Sequence, residues 1–338
     1  MVARLFRFPL ALLIFIGAAC NPAANDCARP DVFCVGLVTD FGGVDDHGLN
    51  QSAWEGLQAA QAAGLVNHSA FIETVDARDH AKNIRLFAES GYDVIVTVGF
   101  ALGDETRLAA DEWAGLTFIG VDQAVEESRP NLATIIFPED QGGYLAGALA
   151  ALTTRTGKVA ALCETESLPE MWRTCEGFRA GARSVSATVN VRVIYHPDGS
   201  PSELFNDPNW GMEYMPSLKI AGVDVIFAAG GATADGVLES ATGLGVMVIG
   251  ADVDQYYEVV ANDFVLNSAQ KQAGMAVQEL IRRRVHGDFS GGEFVGQYAL
   301  GSYHALERLA PPTVRLRLEG LASALAQGAV QTNIPRKP

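Results

Sequence analysis

The chain has few basic residues and no long run of them. Its 338 residues include 24 lysines and arginines against 40 aspartates and glutamates, so the formal net charge is −16 at pH 7. Because binding to a phosphate backbone needs a basic face, this excess of acid argues against nucleic acid as a partner. With 49% hydrophobic residues and 19% charged residues, the chain is typical of a protein with large buried cores.

Common catalytic signatures are also missing. The sequence contains no GxSxG, HExxH, P-loop or GxGxxG motif, and its six histidines are scattered. No CxxC occurs and no histidines lie at ligand spacing, which argues against zinc. We expect neither a metal site nor a cofactor. A hydrolase remains the rival class, because Asp40, Asp45 and Asp46 lie in one loop, and clustered carboxylates can bind Ca²⁺ and position a water.

Long apolar runs are absent except near the N-terminus. Two arginines there precede an apolar run at residues 8–19, which is too short to span a bilayer and typical of a secretory signal. Residues 1–20 are therefore predicted to form a signal peptide with a lipoprotein-type cleavage site, at which Cys20 is lipidated. Gly17 stands where leucine is usual, so a plain secretory peptide is the alternative. We expect an exported protein of the bacterial cell envelope, anchored to the membrane by lipid on its periplasmic or outer side.

Cysteine is scarce, and four cysteines follow the predicted cleavage site. An even number in an exported chain permits two disulfides, although spacing alone allows three connectivities. We favour Cys27 with Cys34, which would tie the mature N-terminus to the first strand. Cys163 with Cys175 would then close a strand-to-helix loop.

The rest of the chain alternates strand patterns with helix patterns. This repeat predicts an α/β fold in which parallel sheets carry helices on both faces, and the length suits two doubly wound lobes with a cleft between them. The predicted strands are residues 35–39, 70–74, 94–98, 117–120, 132–136, 158–162, 190–195, 223–227 and 246–249.

The most informative segment is residues 35–60. It reads as a buried strand, a glycine-rich loop dense in carboxylates, and an amphipathic helix. Ligands of open α/β sheets bind at the carboxyl ends of strands. A loop that carries Asp45, Asp46, His47 and Asn50 at such an end predicts recognition of hydroxyl and amide groups. An ordinary connection with a polar surface is the alternative.

Glycine, an acidic residue or an aromatic residue also ends or follows later predicted strands, at the same edge of the sheets. Glycine lets a ligand approach the backbone, aspartate accepts paired hydrogen bonds, and phenylalanine stacks on planar rings. Taken singly, each phenylalanine could be core and each aspartate a helix cap; their joint occurrence favours a binding site. The residues concerned are Phe100, Asp122, Phe227, Gly230, Gly231 and Asp252.

Five segments resemble the basic membrane protein (BMP) family of bacterial lipoproteins. These are substrate-binding proteins of ABC importers, and their best understood members are purine nucleoside receptors. The segments occur in family order and cover most of residues 35–305. They are LVTDFGGVDDHGLNQSAWEGL, DQGGYLAGALAAL from Asp140, EGFRAGA from Glu176, DVIFAAGGATADGVLESA from Asp224, and VIGADVDQ from Val248.

The resemblance implies a type I periplasmic-binding fold with two lobes and three hinge crossings, which closes on its ligand. It implies a monomeric binding protein without catalytic residues, whose partners are a small-molecule ligand and an ABC permease. The first lobe is expected to be residues 35–136 plus about 262–292. The second is expected to be residues 137–261 plus about 293–327.

The family's binding residues carry over unevenly. In the family run of two acids, Lys, Ser, Phe and Asn, this chain keeps Asn50 but has His47 for the lysine and Leu49 for the stacking phenylalanine. The resemblance implies that Asp122 reads the base, that Phe227 stacks on it, and that Asp252 and Lys271 reach the ribose. The expected ligand-binding set is Asp46, Asn50, Phe100, Asp122, Phe227, Gly230, Gly231, Asp252 and Lys271.

The predicted function is therefore capture of a nucleoside, most simply a purine nucleoside, for import. Because of Leu49 and His47, a free base, a sugar-like compound or another small ligand stays open. A sensor or surface lipoprotein with the same fold is the alternative function, and a nucleoside hydrolase is a further one.

Overall fold

The computed structural model describes residues 26–40, 43–124, 127–197, 205, 207–304, 306–309 and 311–336. The predicted signal peptide, residues 1–20, and the predicted lipidation site Cys20 lie outside these ranges. Among the helices of the described ranges, none combines the length and the apolar character needed to cross a membrane.

Strands and helices alternate along the described chain. The strands are β1 (Cys34–Thr39), β2 (His68–Ile72), β3 (Val94–Val98), β4 (Thr117–Val121), β5 (Leu132–Ile136), β6 (Lys158–Cys163), β7 (Asn190–Tyr195), β8 (Val225–Ala229), β9 (Met247–Ala251), β10 (Val265–Lys271), β11 (Gly292–Val295) and β12 (Tyr298–Leu300). The helices are α1 (Leu49–Ala62), α2 (His80–Glu89), α3 (Gly103–Glu112), α4 (Glu139–Thr153), α5 (Pro169–Val185), α6 (Pro208–Ile220), α7 (Gly231–Gly243), α8 (Ala273–His286), α9 (Leu306–Leu309) and α10 (Pro312–Ala326).

The first lobe is built on a parallel sheet with the strand order β11-β5-β4-β3-β1-β2. Strands β1, β3 and β4 are buried on both faces, as their unbroken apolar and β-branched runs predict. Successive side chains point to opposite faces. Val35 and Leu37 pack with α1 and α8, whereas Val38 packs with residues of α2 and α3.

The second lobe repeats this plan with the order β12-β10-β9-β8-β6-β7. Its strands are parallel except β12, which runs antiparallel to β10. Helices α4 and α5 cover one face with Ala161 and Phe227, while α6 and α7 cover the other with Leu162 and Ile226. The expected α/β fold with two doubly wound lobes is confirmed, with one antiparallel edge strand that the sequence patterns did not predict.

Three described segments cross between the lobes and hydrogen-bond side by side. The amide of Gly296 donates to the carbonyl of Ile136 at 2.8 Å, and the amide of Gln272 donates to the carbonyl of Gln297 at 2.8 Å. These bonds tie the segments into one hinge at the base of the cleft. The crossings are residues 136–139, 271–273 and 295–298.

One lobe boundary differs from the expected one. The resemblance ended the second lobe's main part near residue 261, but β10 pairs with β9 and β12 in the second sheet. Its polar residues Asn267 and Ser268 are fully buried. Asn267 donates to the carbonyls of Gly301 and Ser302, and the Ser268 hydroxyl accepts from the Gln255 amide. Satisfied hydrogen bonds allow polar side chains inside this strand.

The structure contains two disulfides. Cys27 is joined to Cys34 in β1, and Cys163 at the end of β6 is joined to Cys175 in α5. The first ties the segment before β1 to the first sheet, and the second ties α5 to the second sheet close to the cleft.

Candidate ligand-binding cleft

The carboxyl ends of the two sheets face each other across the cleft, and the residues that follow corresponding strands of the two lobes share positive φ angles. Asp122 after β4 and Asp252 after β9 both have positive φ angles, 59° and 64°. Gly99 after β3 and Gly230 after β8 have φ angles of 105° and 137°. Non-glycine residues rarely adopt positive φ, and such residues cluster at functional sites. The two aspartates are therefore held in matching positions, one from each lobe.

Lys271 links these two aspartates. Its Nζ lies 2.7 Å from Asp122 Oδ2 and 3.7 Å from Asp252 Oδ1. Burial opposes the charge of the ammonium group, but the carboxylates of Asp122 and Asp252 outweigh it and raise the pKa of Lys271 well above its usual value. Because Lys271 ends a strand of the second lobe and Asp122 follows a strand of the first, this ion pair crosses the cleft.

Glu139 adds a third carboxylate at the start of α4. Its Oε2 accepts from Nη1 of Arg173 at 3.3 Å, and Arg173 also pairs with Asp140. Burial raises the pKa of Glu139 to about 7, against the lowering effect of Lys271. The polar end of the cleft thus contains a carboxyl group that changes charge near neutral pH.

This carboxyl group should make stability depend on pH. Its folded-state pKa lies above the ordinary 4.5, so the folded state binds more protons and the free energy of unfolding falls as the pH rises from about 4.5 to about 7. We expect Glu139→Gln to lack this pH dependence. From pH 5 to pH 8, the free energy of unfolding of the variant should therefore rise relative to that of the wild type by on the order of 2 kcal/mol. Urea unfolding at both pH values measures it, with exposed Glu89→Gln as the control. A difference that is equal at both pH values would contradict the assignment.

Two adjoining cavities occupy the cleft. The larger has a volume of about 250 Å³, the smaller one of about 60 Å³, and both are lined by Ala229, Ala251 and Asp252. The larger cavity is further lined by Asp46, Gly230, Gly231, Asp235, Gln255 and Glu258. The smaller cavity is further lined by Glu170, Thr174, Phe227, Lys271 and Tyr298. Because Asp252 borders both, a ligand with two chemically different halves could span them.

The side chains of Asp46 and Asn50 are hydrogen-bonded to each other. The Asn50 Nδ2 donates to Asp46 Oδ2 at 2.9 Å, while Asp46 Oδ1 accepts from the amides of Gly48 and Gln51. Asn50 is buried, whereas Asp46 lines the larger cavity. These bonds hold the acidic loop against the first turn of α1 and fix Asp46 at the cavity wall.

The two predicted aromatic residues lie in different surroundings. Phe227 is fully buried, and its ring stacks on Phe178 in the second lobe's core at 5.6 Å between centroids and 9° between planes. Phe100 is 72% exposed at the end of β3. Phe100 is thus largely open to solvent, whereas Phe227 packs one face of its ring on Phe178 and also lines the smaller cavity.

Phe205 is an aromatic residue that sequence reasoning missed. Its ring centroid lies 6.5 Å from that of Phe100, although it belongs to the second lobe. Its carbonyl accepts from the amide of Ala232, which places it beside Gly231 at the larger cavity. Its only signal in the sequence is an aromatic residue within a polar connection between β7 and α6. Tyr298, in the unpredicted strand β12, was missed as well.

Two α/β lobes, a hinge of three crossings and a polar and aromatic cleft together define a two-lobed solute-binding protein. Residues 33–297 match the family described as Bmp, ABC transporter substrate-binding protein PnrA-like, and the chain belongs to this family. The expected family and its periplasmic-binding fold are confirmed. Members are the substrate-binding components of ABC transporters. These components act outside the cytoplasm and are in general not enzymes.

Known proteins resemble this chain in sequence or in fold. A CD4+ T-cell-stimulating antigen of Listeria innocua is 33% identical over 318 residues, covering 86% of this chain and 87% of the relative. The ABC transporter nucleoside-binding protein BmpA of Lactococcus lactis subsp. cremoris is 30% identical over 277 residues, covering 77% of each chain. The solved structure of an ABC transporter solute-binding protein from Conexibacter woesei has a TM-score of 0.74 at 21% identity, covering 90% of this chain and 99% of that one.

Proposed function

We propose that this protein captures a nucleoside, with a purine base preferred, and delivers it to the permease of an ABC importer. The observation that carries the proposal is the adjacency of a hydrogen-bonding end of the cleft, built on Lys271, Asp122 and Asp252, and an aromatic pair, Phe100 and Phe205. A nucleoside has the same two parts, a hydroxylated sugar and a planar ring. The nucleoside-binding name of the Lactococcus lactis relative supports this ligand class.

The aromatic pair suits a planar base. When a planar ring is held between two other rings, the planes of the two flanking rings are roughly 7 Å apart, which is twice a carbon–carbon contact distance. The Phe100 and Phe205 centroids are 6.5 Å apart with 43° between their planes. Because the rings belong to different lobes, a small closing or opening movement would bring them parallel around a base. In this proposal Phe205 and Phe100 provide the aromatic faces in place of the family's phenylalanine at Leu49.

The polar end suits ribose. Lys271 can donate to a hydroxyl oxygen, and the carboxylate of Asp252 can accept from hydroxyl groups. Asp122, to which the resemblance gives the base, is bonded to Lys271 and can accept from either part of the ligand. Closing the lobes would desolvate these contacts, so a ligand lacking a hydroxyl would leave a buried polar group unpaired and bind much more weakly. Nucleosides carry no net charge, so the chain's charge of −16 does not repel them. Asn50 and Asp46 are proposed to contact the base edge from the first lobe.

We further propose that the mature protein is a monomer held to the membrane through lipidated Cys20. A lipid anchor would keep the binding protein close to its permease without a spanning helix. Mass spectrometry of the purified mature N-terminus tests the anchor, because a diacylated Cys20 and a plain cleaved N-terminus differ by the mass of the acyl chains.

A thermal-shift panel tests the ligand class. With residues 1–20 removed, the protein is mixed with nucleosides, free bases, sugars and amino acids. A ligand at about 100 times its Kd should stabilise the folded state by about 2.7 kcal/mol, which raises the melting temperature clearly. We expect this rise with inosine, guanosine or adenosine and without product formation. A rise with another class alone would overturn the nucleoside proposal, and released base would point to a hydrolase.

Phe205→Ala tests the aromatic pair. Stacking of a base on an aromatic side chain contributes about 1–3 kcal/mol, so we expect the nucleoside Kd to rise by about 5- to 150-fold. The melting temperature of the ligand-free protein should hardly change, because Phe205 lies at the cleft and not in the core. Phe71→Ala is the control, because Phe71 is 42% exposed in β2. An unchanged Kd in Phe205→Ala would show that the Phe205 ring does not contact the ligand.

A further inference from the structure

His47 reaches across the mouth of the cleft. It lies in the loop between β1 and α1 of the first lobe, and its ring stacks on Tyr257 of the second lobe with 4.5 Å between centroids and 15° between planes. Its Nδ1 lies 3.2 Å from Oε1 of Glu258. We call His47, Tyr257 and Glu258 the histidine latch.

The backbone holds this histidine in place from both lobes. The His47 carbonyl accepts from the amide of Asp254 at 2.8 Å, and its amide donates to Gln51 Oε1 at 3.0 Å. At φ = 50°, His47 is in the left-handed region, where non-glycine residues are uncommon. The next residue, Gly48, lies so close to Val253 that any side chain there would overlap it. The contacts with Asp254 and Val253 exist only while the lobes are together, whereas the bond to Gln51 lies within the first lobe.

We propose that the histidine latch is a pH-sensitive clasp, in which protonated His47 holds the lobes closed over the ligand. The proposal rests on the proposed function, since it assumes that capture proceeds by lobe closure. Histidine ordinarily changes charge between pH 5 and pH 8. A protonated ring makes a charge-assisted contact with the Glu258 carboxylate and a cation–π contact with Tyr257, whereas the neutral ring keeps only the stack.

The latch changes affinity because it acts on one state only. An interaction present in the closed state and absent from the open state shifts the equilibrium towards closure, and a ligand that binds the closed state is then held more tightly. Linkage is reciprocal, so ligand binding must take up protons wherever the latch histidine is partly neutral. His47 and Glu258 have side chains that are 39% and 48% exposed, so the effect is modest. We expect about a two- to fivefold lower Kd at acidic pH.

Other titratable groups near the latch act within one lobe or elsewhere in the cleft. The groups that surround the latch are Asp46 on its own loop, and Asp235, Asp252, Asp254, Tyr256 and His304 from the second lobe; burial raises the pKa of Asp235, and the charge of Glu258 adds to this. His304 Nε2 lies 2.9 Å from Asp254 Oδ2, and its ring stacks on Tyr256 at 3.8 Å. All three residues belong to the second lobe, so these contacts do not join the two lobes. Glu139 titrates near neutral pH at the polar end of the cleft, and its effect is common to the wild type and to latch variants.

Calorimetry at about pH 5.5 and pH 8 tests the latch. For the nucleoside selected by the panel, we expect the wild-type Kd to fall about two- to fivefold more on acidification than the Kd of His47→Gln. Glu258→Gln should behave like His47→Gln, and the control His68→Gln, altered on the edge strand β2, should behave like the wild type. In buffers of different ionisation heat, the wild type should take up protons on binding and His47→Gln fewer. Equal pH dependence in the wild type and His47→Gln would overturn the latch.

A measurement without ligand separates the latch from the proposed function. Small-angle scattering of the ligand-free protein should give a smaller radius of gyration at pH 5.5 than at pH 8 in the wild type, and no such difference in His47→Gln. If this difference appears while no nucleoside binds, the latch stands and the nucleoside proposal fails. If nucleosides bind with neither the scattering difference nor the calorimetric one, the latch fails and the nucleoside proposal stands.

Discussion

Replacing Lys271 with methionine is expected to weaken nucleoside binding about 100-fold or more. The substitution removes the ammonium group that forms ion pairs with Asp122 and Asp252, but it keeps a side chain of similar length. Because the Lys271–Asp122 pair joins the two lobes, its loss leaves a carboxylate unpaired in the closed state. Truncating one partner of a charge pair buried across an interface costs about 2–5 kcal/mol of binding free energy. Asp252 is 51% exposed, so we expect the lower half of this range. At 1.4 kcal/mol per tenfold change, about 3 kcal/mol corresponds to the stated loss of affinity.

Calorimetric titration with the same nucleoside measures this loss. Lys82→Met is the matched control, because Lys82 is exposed on α2 and pairs only with Asp79 at 3.4 Å among the described residues. Adding Asp122→Asn to Lys271→Met should restore part of the affinity if the stranded carboxylate causes the loss. A Kd within twofold of the wild type in Lys271→Met would mean that this end of the cleft does not contact the ligand.

Replacing Phe227 with alanine should mainly destabilise the protein. The side chain is fully buried and stacks on Phe178 in the second lobe's core. Phenylalanine-to-alanine changes in cores cost about 3–5 kcal/mol, because they lose buried apolar area and leave a cavity. For a unit the size of one lobe this corresponds to a fall of roughly 6–20 °C in melting temperature. Urea unfolding gives the free energy directly.

Phe227→Leu distinguishes a core role from a ligand-stacking role. Leucine fills most of the space, so this variant should lose only about 1.5 kcal/mol of stability. If the Phe227 ring serves the core, its nucleoside Kd should stay within about threefold of the wild type, whereas Phe205→Ala loses affinity and keeps stability. A loss of more than tenfold in affinity with intact stability in Phe227→Leu would return the base-stacking role to Phe227.

The contrast between these two phenylalanines follows from strand geometry. Phe227 is the third residue of β8, and side chains inside a strand stand perpendicular to the sheet. Its ring therefore enters the layer of α4 and α5, where it also borders the smaller cavity. Phe205 belongs to a connection whose path no periodicity predicts. Sequence patterns find where a strand ends, but they do not say which nearby aromatic ring reaches past that end.

Predictable strands and missed strands differ in a physical way. Strands β3 and β8 are runs of apolar and β-branched residues, VIVTV and VIFAA, which suit strands buried on both faces. Strand β10 contains Asn267 and Ser268, and its burial depends on hydrogen bonds to residues more than ten positions away. Strands β11 and β12 have only four and three residues, too few for a periodic pattern.

The class of fold and the strand ends that carry Asp122, Gly230 and Asp252 could be predicted from the amino-acid sequence, because they depend on local periodicity and on the rule that ligands meet the carboxyl ends of strands. The family could be predicted because five segments resemble it. Which of these groups meet depends on the three-dimensional arrangement of the lobes. Lys271 and Asp122 are 149 residues apart along the chain, and His47 and Glu258 are 211 apart. Each pair comes together because a hinge of three crossings brings the edges of two separately built sheets face to face. Contacts of that kind depend on the relative placement of whole lobes, which no local pattern encodes.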